Sequence, residues 1–192
     1  ILIGLVGSEM CIRDRLENDL ILSINISAKQ IEENGFFDNT YMVLKETQLS
    51  RIHFALEITE RSAMKITDSL MDDIKRLQNN GISFSLDDFG MGHNSILYLQ
   101  EGIFDEVKLD GHLVTQLPGN GRSRDIISGI IRMARSLDLR ILAEYVETKE
   151  QRDILAELGC GFYQGYYYSR PLPMDKLVEY IKTAGNTAEG QR

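Results

Sequence analysis

Short apolar segments alternate along the chain with longer segments whose apolar residues recur at helical spacing. Six of the short segments mix β-branched and apolar residues and end in a polar side chain, which is typical of strands. The predicted strands are Leu20–Asn25, Ile52–Glu57, Ile82–Asp87, Glu106–Asp110, Arg140–Glu144 and Gly161–Gln164.

Amphipathic segments between these strands predict helices. The predicted helices are Thr67–Asn80, Arg124–Asp138, Thr148–Leu158 and Pro173–Thr183. Thr148 and Gln151 have the spacing of a capping box, which opens a helix. Gly81 and Gly159 follow helical segments and are expected to end them.

Strand and helix alternate in units of roughly 25–35 residues, the length of βαβ units. This spacing predicts an α/β fold with a mainly parallel sheet and helices outside it. A complete (β/α)8 barrel has about 250 residues, whereas this chain has 192. We therefore predict a modified TIM (β/α)8 barrel that is incomplete at its N-terminus. An open doubly wound sheet is the alternative.

Composition limits the functions that are open to this fold. Hydrophobic residues make up 43% of the chain, enough for a sizeable core, and the net charge of −8 disfavours binding to a nucleic-acid polymer. Cys11 and Cys160 are far apart, so neither a disulfide framework nor a zinc site is expected. No apolar run is long enough to span a membrane. These features predict a cytoplasmic domain, either free or part of a membrane-anchored protein.

The two ends of the chain differ from the rest. Segment Ile1–Arg15 resembles a peptide produced when sequencing-adapter DNA is translated, and we predict that it is not native. A natural linker or the start of a strand is the alternative. Residues 16–183 are predicted to form the partial domain. The polar tail Ala184–Arg192 is predicted to be disordered.

Side chains that bind metals or handle protons lie at the ends of nearly all the predicted strands. In chain order they are Asn25, Glu57 with Glu60, Asp87 with Asp88, Lys108 with Asp110, Glu144 with Glu147, and Gln164. A single polar residue at a strand end is more often a turn or a helix cap. Six in succession predict an active site, because the carboxyl ends of parallel barrel strands meet on one face.

The donor types indicate which metal this face would bind. Carboxylate and amide oxygens suit Mg²⁺, Mn²⁺ or Ca²⁺. Clustering Glu57, Asp87 and Asp88 without a cation would be costly, because like charges repel. Adjacent aspartates suit two ions about 3.5–4 Å apart, the arrangement used in phosphoester hydrolysis. Lys108 offers a positive charge for a phosphate or an attacking water, although an ordinary surface lysine is the alternative.

At these positions the chain resembles the EAL-domain family, from about Leu20 to Lys182. The matching motifs are NIS (Asn25–Ser27), EITE (Glu57–Glu60), DDFGMG (Asp87–Gly92), DEVKLD (Asp105–Asp110), AEYVET (Ala143–Thr148) and QGYYYSRPLP (Gln164–Pro173). The resemblance implies a barrel that hydrolyses cyclic-di-GMP to linear pGpG with two Mg²⁺ or Mn²⁺ ions. It also implies a homodimer, and upstream sensory or GGDEF domains in the full-length protein.

The resemblance also implies roles for individual residues. Asn25, Glu57 and Asp87 would bind the first metal, and Asp87, Asp88 and Glu144 the second. Lys108 would hold the nucleophilic water, and Gln164 would hydrogen-bond near it. Asn25, Gln164 and Asp110 would contact the substrate, and Glu60 would anchor the loop Phe89–Tyr98, which couples metal binding to dimerisation.

Three departures from the family pattern affect these expectations. The Glu-x-Leu motif that names the family is absent, so we expect an N-terminal truncation that leaves the chain unstable or inactive by itself. Met91, His93 and Asn94 alter the loop, and Tyr145 replaces the usual glycine, where it either crowds Glu144 or packs outward. A non-catalytic cyclic-di-GMP receptor or protein-interaction module is the alternative function.

Overall fold

The structure is a computed structural model of the chain and describes residues 20–47, 52–63, 67–90, 99–177 and 179–181. The predictions for the Ile1–Arg15 segment and the Ala184–Arg192 tail lie outside the described residues, as do those for Met91, His93 and Asn94. In the part of the chain that is described, every helix falls short of the length and apolar character needed to cross a membrane.

Six strands form one parallel sheet whose spatial order is the order of the chain. They are β1 (Leu20–Ile26), β2 (Ile52–Thr59), β3 (Ser83–Phe89), β4 (Glu106–Leu109), β5 (Arg140–Ala143) and β6 (Phe162–Tyr163). Each strand pairs in parallel with the one before it, as in a barrel. A doubly wound sheet instead reverses its strand order at a switch point. The barrel prediction is confirmed, as an incomplete barrel, and the doubly wound alternative is wrong.

Seven labelled helices connect these strands. They are α1 (Ala28–Ile31), α2 (Phe36–Thr47), α3 (Glu60–Ala63), α4 (Asp68–Gln78), α5 (Gly111–Thr115), α6 (Gly121–Ser136) and α7 (Lys149–Leu158). Residues 174–177 and 179–181 are also helical. The helix pattern did not predict α1, α2, α3 or α5. All but α2 have five residues or fewer, too short to show helical periodicity.

Local capping fixes several helix ends. The capping box of Thr148 and Gln151 is present at the start of α7, and Gly159 ends that helix in a left-handed conformation with φ of 94°. Helix α6 begins before Arg124, at Gly121, because the Asn120 side chain accepts hydrogen bonds from the backbone N–H groups of the next turn.

Alternation along the strands separates the core from the polar interior of the barrel. Side chains on one face, such as Leu56, Phe84 and Val107, are fully buried together with apolar residues of the helices. The opposite face carries polar side chains that are neighbours in register across β1 to β5, in the order Asn25, Glu57, Ser85, Glu106 and Arg140. Because side chains alternate strictly in a strand, burying the apolar face directs this polar row into the barrel.

Candidate active site and metal centre

A β-bulge in β3 brings two adjacent aspartates to one site. Leu86 pairs with Val107 and Phe89 pairs with Leu109, so Asp87 and Asp88 together face a single residue of β4, Lys108. In a regular strand their side chains would point to opposite faces, but a bulge places two residues opposite one. Asp88 has a φ of 57°, in the left-handed region.

The bulge gathers three carboxylates into a possible metal site. One carboxylate oxygen from each of Asp87, Asp88 and Glu144 lies within 4.8 Å of the other two. Glu144 follows directly after β5, two strands from the aspartates. The three side chains thus come from two strand ends that are far apart in sequence and close in space, as the strand-end pattern predicted.

Lys108 lies at the centre of the acidic residues. Its Nζ is 2.7 Å from Glu144 Oε1, 3.0 Å from Glu57 Oε2 and 3.3 Å from Asp87 Oδ1. Lys108 is 2% exposed and Glu57 is 1% exposed, so this is a buried network and the surface-lysine alternative is wrong. Burial lowers the pKa of the Lys108 ammonium, but the three carboxylates outweigh that effect and raise it.

The charges of the cluster fit a divalent cation. Glu57, Asp87, Asp88 and Glu144 supply four carboxylates against the single ammonium of Lys108. Burial raises the pKa of Glu144, opposed by Lys108 and reinforced by the neighbouring carboxylates. Among the described residues, the buried oxygen Oε1 of Glu57 has no hydrogen-bond partner. Leaving such an acceptor unsatisfied is costly, and a hard cation is the partner it suits.

Asn25 and Gln164 lie at the two ends of the sheet. Asn25 is exposed near the end of β1 and pairs in register with Glu57, which places these two predicted metal ligands next to each other. Gln164 follows β6, and its buried Oε1 has no hydrogen-bond partner within the described part of the chain. Its backbone N–H donates to Ala143 O at 2.8 Å, and its carbonyl accepts from Val146 N–H at 3.0 Å. These bonds hold Gln164 beside the segment that carries Glu144.

Asp110 and Glu60 have local positions that the motifs did not predict. Asp110 caps α5, because its Oδ1 accepts a hydrogen bond from the backbone N–H of His112 at 2.7 Å. Glu60 is buried at the start of α3. Most of the loop that Glu60 was predicted to anchor lies outside the described residues, so this role and the substrate contact of Asp110 stay predictions.

Glu106 is a buried carboxylate that the motif analysis missed. It is on the same strand face as Lys108, two residues earlier, and accepts a hydrogen bond from Ser85 Oγ at 3.0 Å. Arg140 Nε lies 3.7 Å away. Burial raises the pKa of Glu106, opposed by Arg140, Ser85 and Lys108. The two-residue spacing from Lys108 was the available signal, because it puts both side chains on one face.

We expect the Glu106→Gln variant to lose less stability than the wild type as the pH rises. A carboxyl group whose pKa is raised by folding stabilises the protein below its unfolded pKa, and that contribution is lost as the pH rises through the folded pKa. Glutamine does not titrate and can still accept from Ser85. Denaturant unfolding of both proteins between about pH 4 and pH 8 measures the difference. Identical pH dependence in the two proteins would contradict a raised pKa for Glu106 in the folded protein.

Comparison with known proteins shows the family of the chain. A model of the EAL domain matches residues 8–171, a range that begins inside the Ile1–Arg15 segment. The chain is 35% identical over 163 residues to the bifunctional diguanylate cyclase and cyclic-di-GMP phosphodiesterase MucR of Pseudomonas aeruginosa, which covers 85% of this chain and 24% of MucR. The chain thus spans about a quarter of the length of this relative.

Solved structures give the same result. The cyclic-di-GMP complex of the PaMucR phosphodiesterase has a TM-score of 0.73 at 35% identity, covering 81% of this chain and 63% of that one. The manganese and cyclic-di-GMP complex of Klebsiella pneumoniae BlrP1 has a TM-score of 0.69 at 26% identity, covering 78% of this chain and 38% of that one. The family resemblance noted from the motifs is confirmed, and the chain belongs to the EAL domain family.

Proposed function

We propose that this chain carries the catalytic site of a phosphodiesterase that hydrolyses cyclic-di-GMP to linear pGpG. The observation that supports it most is the position of Lys108, whose Nζ lies within 3.3 Å of carboxylates from three other strand ends. Further support comes from MucR, whose name describes a cyclic-di-GMP phosphodiesterase, and from the cyclic-di-GMP complexes of PaMucR and BlrP1.

Two divalent ions, Mg²⁺ or Mn²⁺, are the proposed cofactors. Asn25, Glu57 and Asp87 would hold one ion, and Asp87, Asp88 and Glu144 the other. The excess of carboxylates over the single ammonium and the open oxygen of Glu57 support this assignment. When bound, such ions neutralise phosphate charge and lower the pKa of water.

Lys108 is proposed to orient the attacking water through hydrogen bonds. Without metal, the carboxylates around Lys108 raise its pKa, and a charged ammonium donates hydrogen bonds, so Lys108 is assigned the role of a hydrogen-bond donor and not of the base. Carboxylates on three different strand ends fix its position, which reduces the reorganisation needed during the reaction. The open oxygen of Gln164 would accept a hydrogen bond from the water or substrate, and Asn25 and Asp110 would contact the substrate.

We also propose a homodimer, upstream sensory or GGDEF domains, and a cytoplasmic location for the full-length protein. MucR, which combines a diguanylate cyclase with a phosphodiesterase and of which this chain matches 24%, supports the further domains. In the dimer, Glu60 would anchor the loop Phe89–Tyr98.

Hydrolysis by the full-length protein tests the proposed function. Purified protein is incubated with cyclic-di-GMP and Mg²⁺ or Mn²⁺, and pGpG is measured by chromatography. We expect pGpG to form, to stop forming when a chelator is added, and to form again when excess Mn²⁺ is supplied. Tight binding of cyclic-di-GMP with no product at any metal concentration would overturn the proposal in favour of a non-catalytic receptor.

A further inference from the structure

Tyr145 is a large aromatic residue exposed beside the acidic cluster. It directly follows Glu144 at the carboxyl end of β5, and it is 60% exposed. Its φ of 54° lies in the left-handed region, which disfavours residues with a Cβ. Among the described residues, the non-glycine residues with positive φ are Asp88, Asp138 and Tyr145; Asp88 belongs to the cluster and Tyr145 adjoins it. Such conformations concentrate at functional sites.

The ring of Tyr145 packs over Gly111, a glycine that follows the neighbouring strand β4. A Cβ built on Gly111 would overlap the Cδ2 and Cγ atoms of Tyr145, so the ring fills the space that a side chain at residue 111 would take. Gly111 is the first residue of α5 and follows Asp110, the cap of that helix. One part of Tyr145 therefore rests on the first residue of α5, and the rest is open to solvent, as in the outward-packing alternative for this residue.

The backbone on both sides of Tyr145 is held in place. The Glu144 N–H donates to Leu109 O at 3.4 Å, and the Val146 N–H donates to Gln164 O at 3.0 Å. The carbonyl of Val146 accepts from Tyr167 N–H at 3.0 Å. Because Val146 is also fully buried, Tyr145 carries an exposed ring on a fixed segment that directly follows Glu144 and is hydrogen-bonded to the backbone of Gln164.

We propose that the exposed face of Tyr145 stacks on a guanine base of the bound cyclic dinucleotide and sets the affinity for that base. This inference rests on the proposed function. Phosphate groups alone are repelled by the carboxylates around Lys108 until cations are bound, so the bases are the parts of the ligand that a neutral ring can bind. Aromatic side chains stack on every nucleobase, and loss of one such contact lowers affinity about tenfold.

The packing on Gly111 also prepares the ring of Tyr145 for binding. A rigid ring with two rotatable side-chain bonds loses little conformational entropy on binding, and its seat on Gly111 restricts it further. With tyrosine at residue 145, the left-handed backbone conformation is unfavourable for folding, whereas glycine would adopt it without this cost. Tyr145 is therefore expected to act in ligand binding and not in stability.

Binding and kinetics of the full-length protein test this inference. Affinity for cyclic-di-GMP is measured by calorimetry with Ca²⁺, and KM and kcat are measured with Mn²⁺, for wild type, Tyr145→Gly, Tyr145→Asn and Tyr145→Phe. We expect Tyr145→Gly and Tyr145→Asn to weaken binding and raise KM about tenfold with little change in kcat. Phenylalanine should retain wild-type affinity. Asparagine tolerates the left-handed backbone, so it removes the ring without a change in backbone preference.

Gly111→Ala supplies a positional control. Its Cβ should displace the ring of Tyr145 and weaken binding in the wild-type background, yet have no further effect in the Tyr145→Gly background. The thermal midpoint of Tyr145→Gly should equal or exceed that of the wild type. Wild-type affinity in both Tyr145→Gly and Tyr145→Asn would overturn this inference and leave the proposed function intact. Failure of the wild-type protein to bind cyclic-di-GMP would overturn both.

Discussion

Replacing Lys108 with alanine is expected to lower the turnover of cyclic-di-GMP by about 10²–10³-fold, the range observed when an enzyme loses one charge-stabilising donor. In the described part of the site, Lys108 is the only positively charged residue that contacts Glu57, Asp87 and Glu144. Alanine removes the hydrogen-bond donor that would orient the water. Single-turnover measurement of pGpG formation with saturating Mn²⁺ separates this chemical effect from binding.

The same substitution should also affect stability, but only when metal is absent. Removing one partner of a buried ion pair typically costs about 3–5 kcal/mol, and here it leaves the carboxylates of Glu57, Asp87 and Glu144 without their shared cation. Added Mn²⁺ should therefore stabilise Lys108→Ala more than it stabilises the wild type. Lys108→Met, which fills the space but carries no charge, is the matched control and should be equally inactive. Turnover within tenfold of the wild type in both variants would rule out the proposed role.

Sequence patterns predicted the strands because the apolar residues of the central strands β2, β3 and β4 are buried on one face in the core. Leu56, Phe84 and Val107 belong to predicted strands and are fully buried in the core. The repeated strand-helix unit predicted parallel strands, but it left the strand order open between a barrel and a doubly wound sheet, and the assembled sheet decides it. Helices α1, α3 and α5 were not predictable in this way. They are single turns, and local caps such as Ser27 and Asp110 define α1 and α5.

The site was predictable in its residue types but not in its geometry. Strand ends identified Glu57, Asp87, Lys108 and Glu144, because chain position alone places them on one face of a parallel barrel. The bulge that turns Asp88 toward the same site depends on the register between β3 and β4. Register is a property of two paired segments, and it cannot be inferred from one strand read alone.

The burial of Glu106 was likewise not predictable from its own strand. Its two-residue spacing from Lys108 predicts a shared strand face, but its burial depends on the neighbouring side chains of Ser85 and Arg140. A carboxylate at the start of a strand is usually exposed. Here the polar row inside the barrel offers partners, and only the assembled sheet shows that they are present.

The Asp87→Asn substitution is expected to lower turnover by about 10²–10³-fold, comparable to the effect of losing Lys108. Asparagine keeps the size of aspartate, and its side-chain oxygen can still accept the hydrogen bond that Asp87 Oδ1 accepts from Asp88 N–H at 3.0 Å. It removes one negative charge from the site, which weakens the attraction of the site for a divalent cation. The concentration of Mn²⁺ needed for half-maximal activity should rise, and the stabilisation by Mn²⁺ in thermal melts should shrink.

Stability without metal distinguishes this role of Asp87 from a structural one. Asp87 belongs to an excess of carboxylates around one ammonium, so removing its charge relieves repulsion and should leave the metal-free protein at least as stable as the wild type. Glu106→Gln is the matched control, because it neutralises a buried carboxylate of the same barrel interior that lies outside the metal group. It should keep the wild-type response to Mn²⁺. If Asp87→Asn instead lost stability without metal while its Mn²⁺ response was unchanged, Asp87 would be a structural partner of Lys108 and not a ligand.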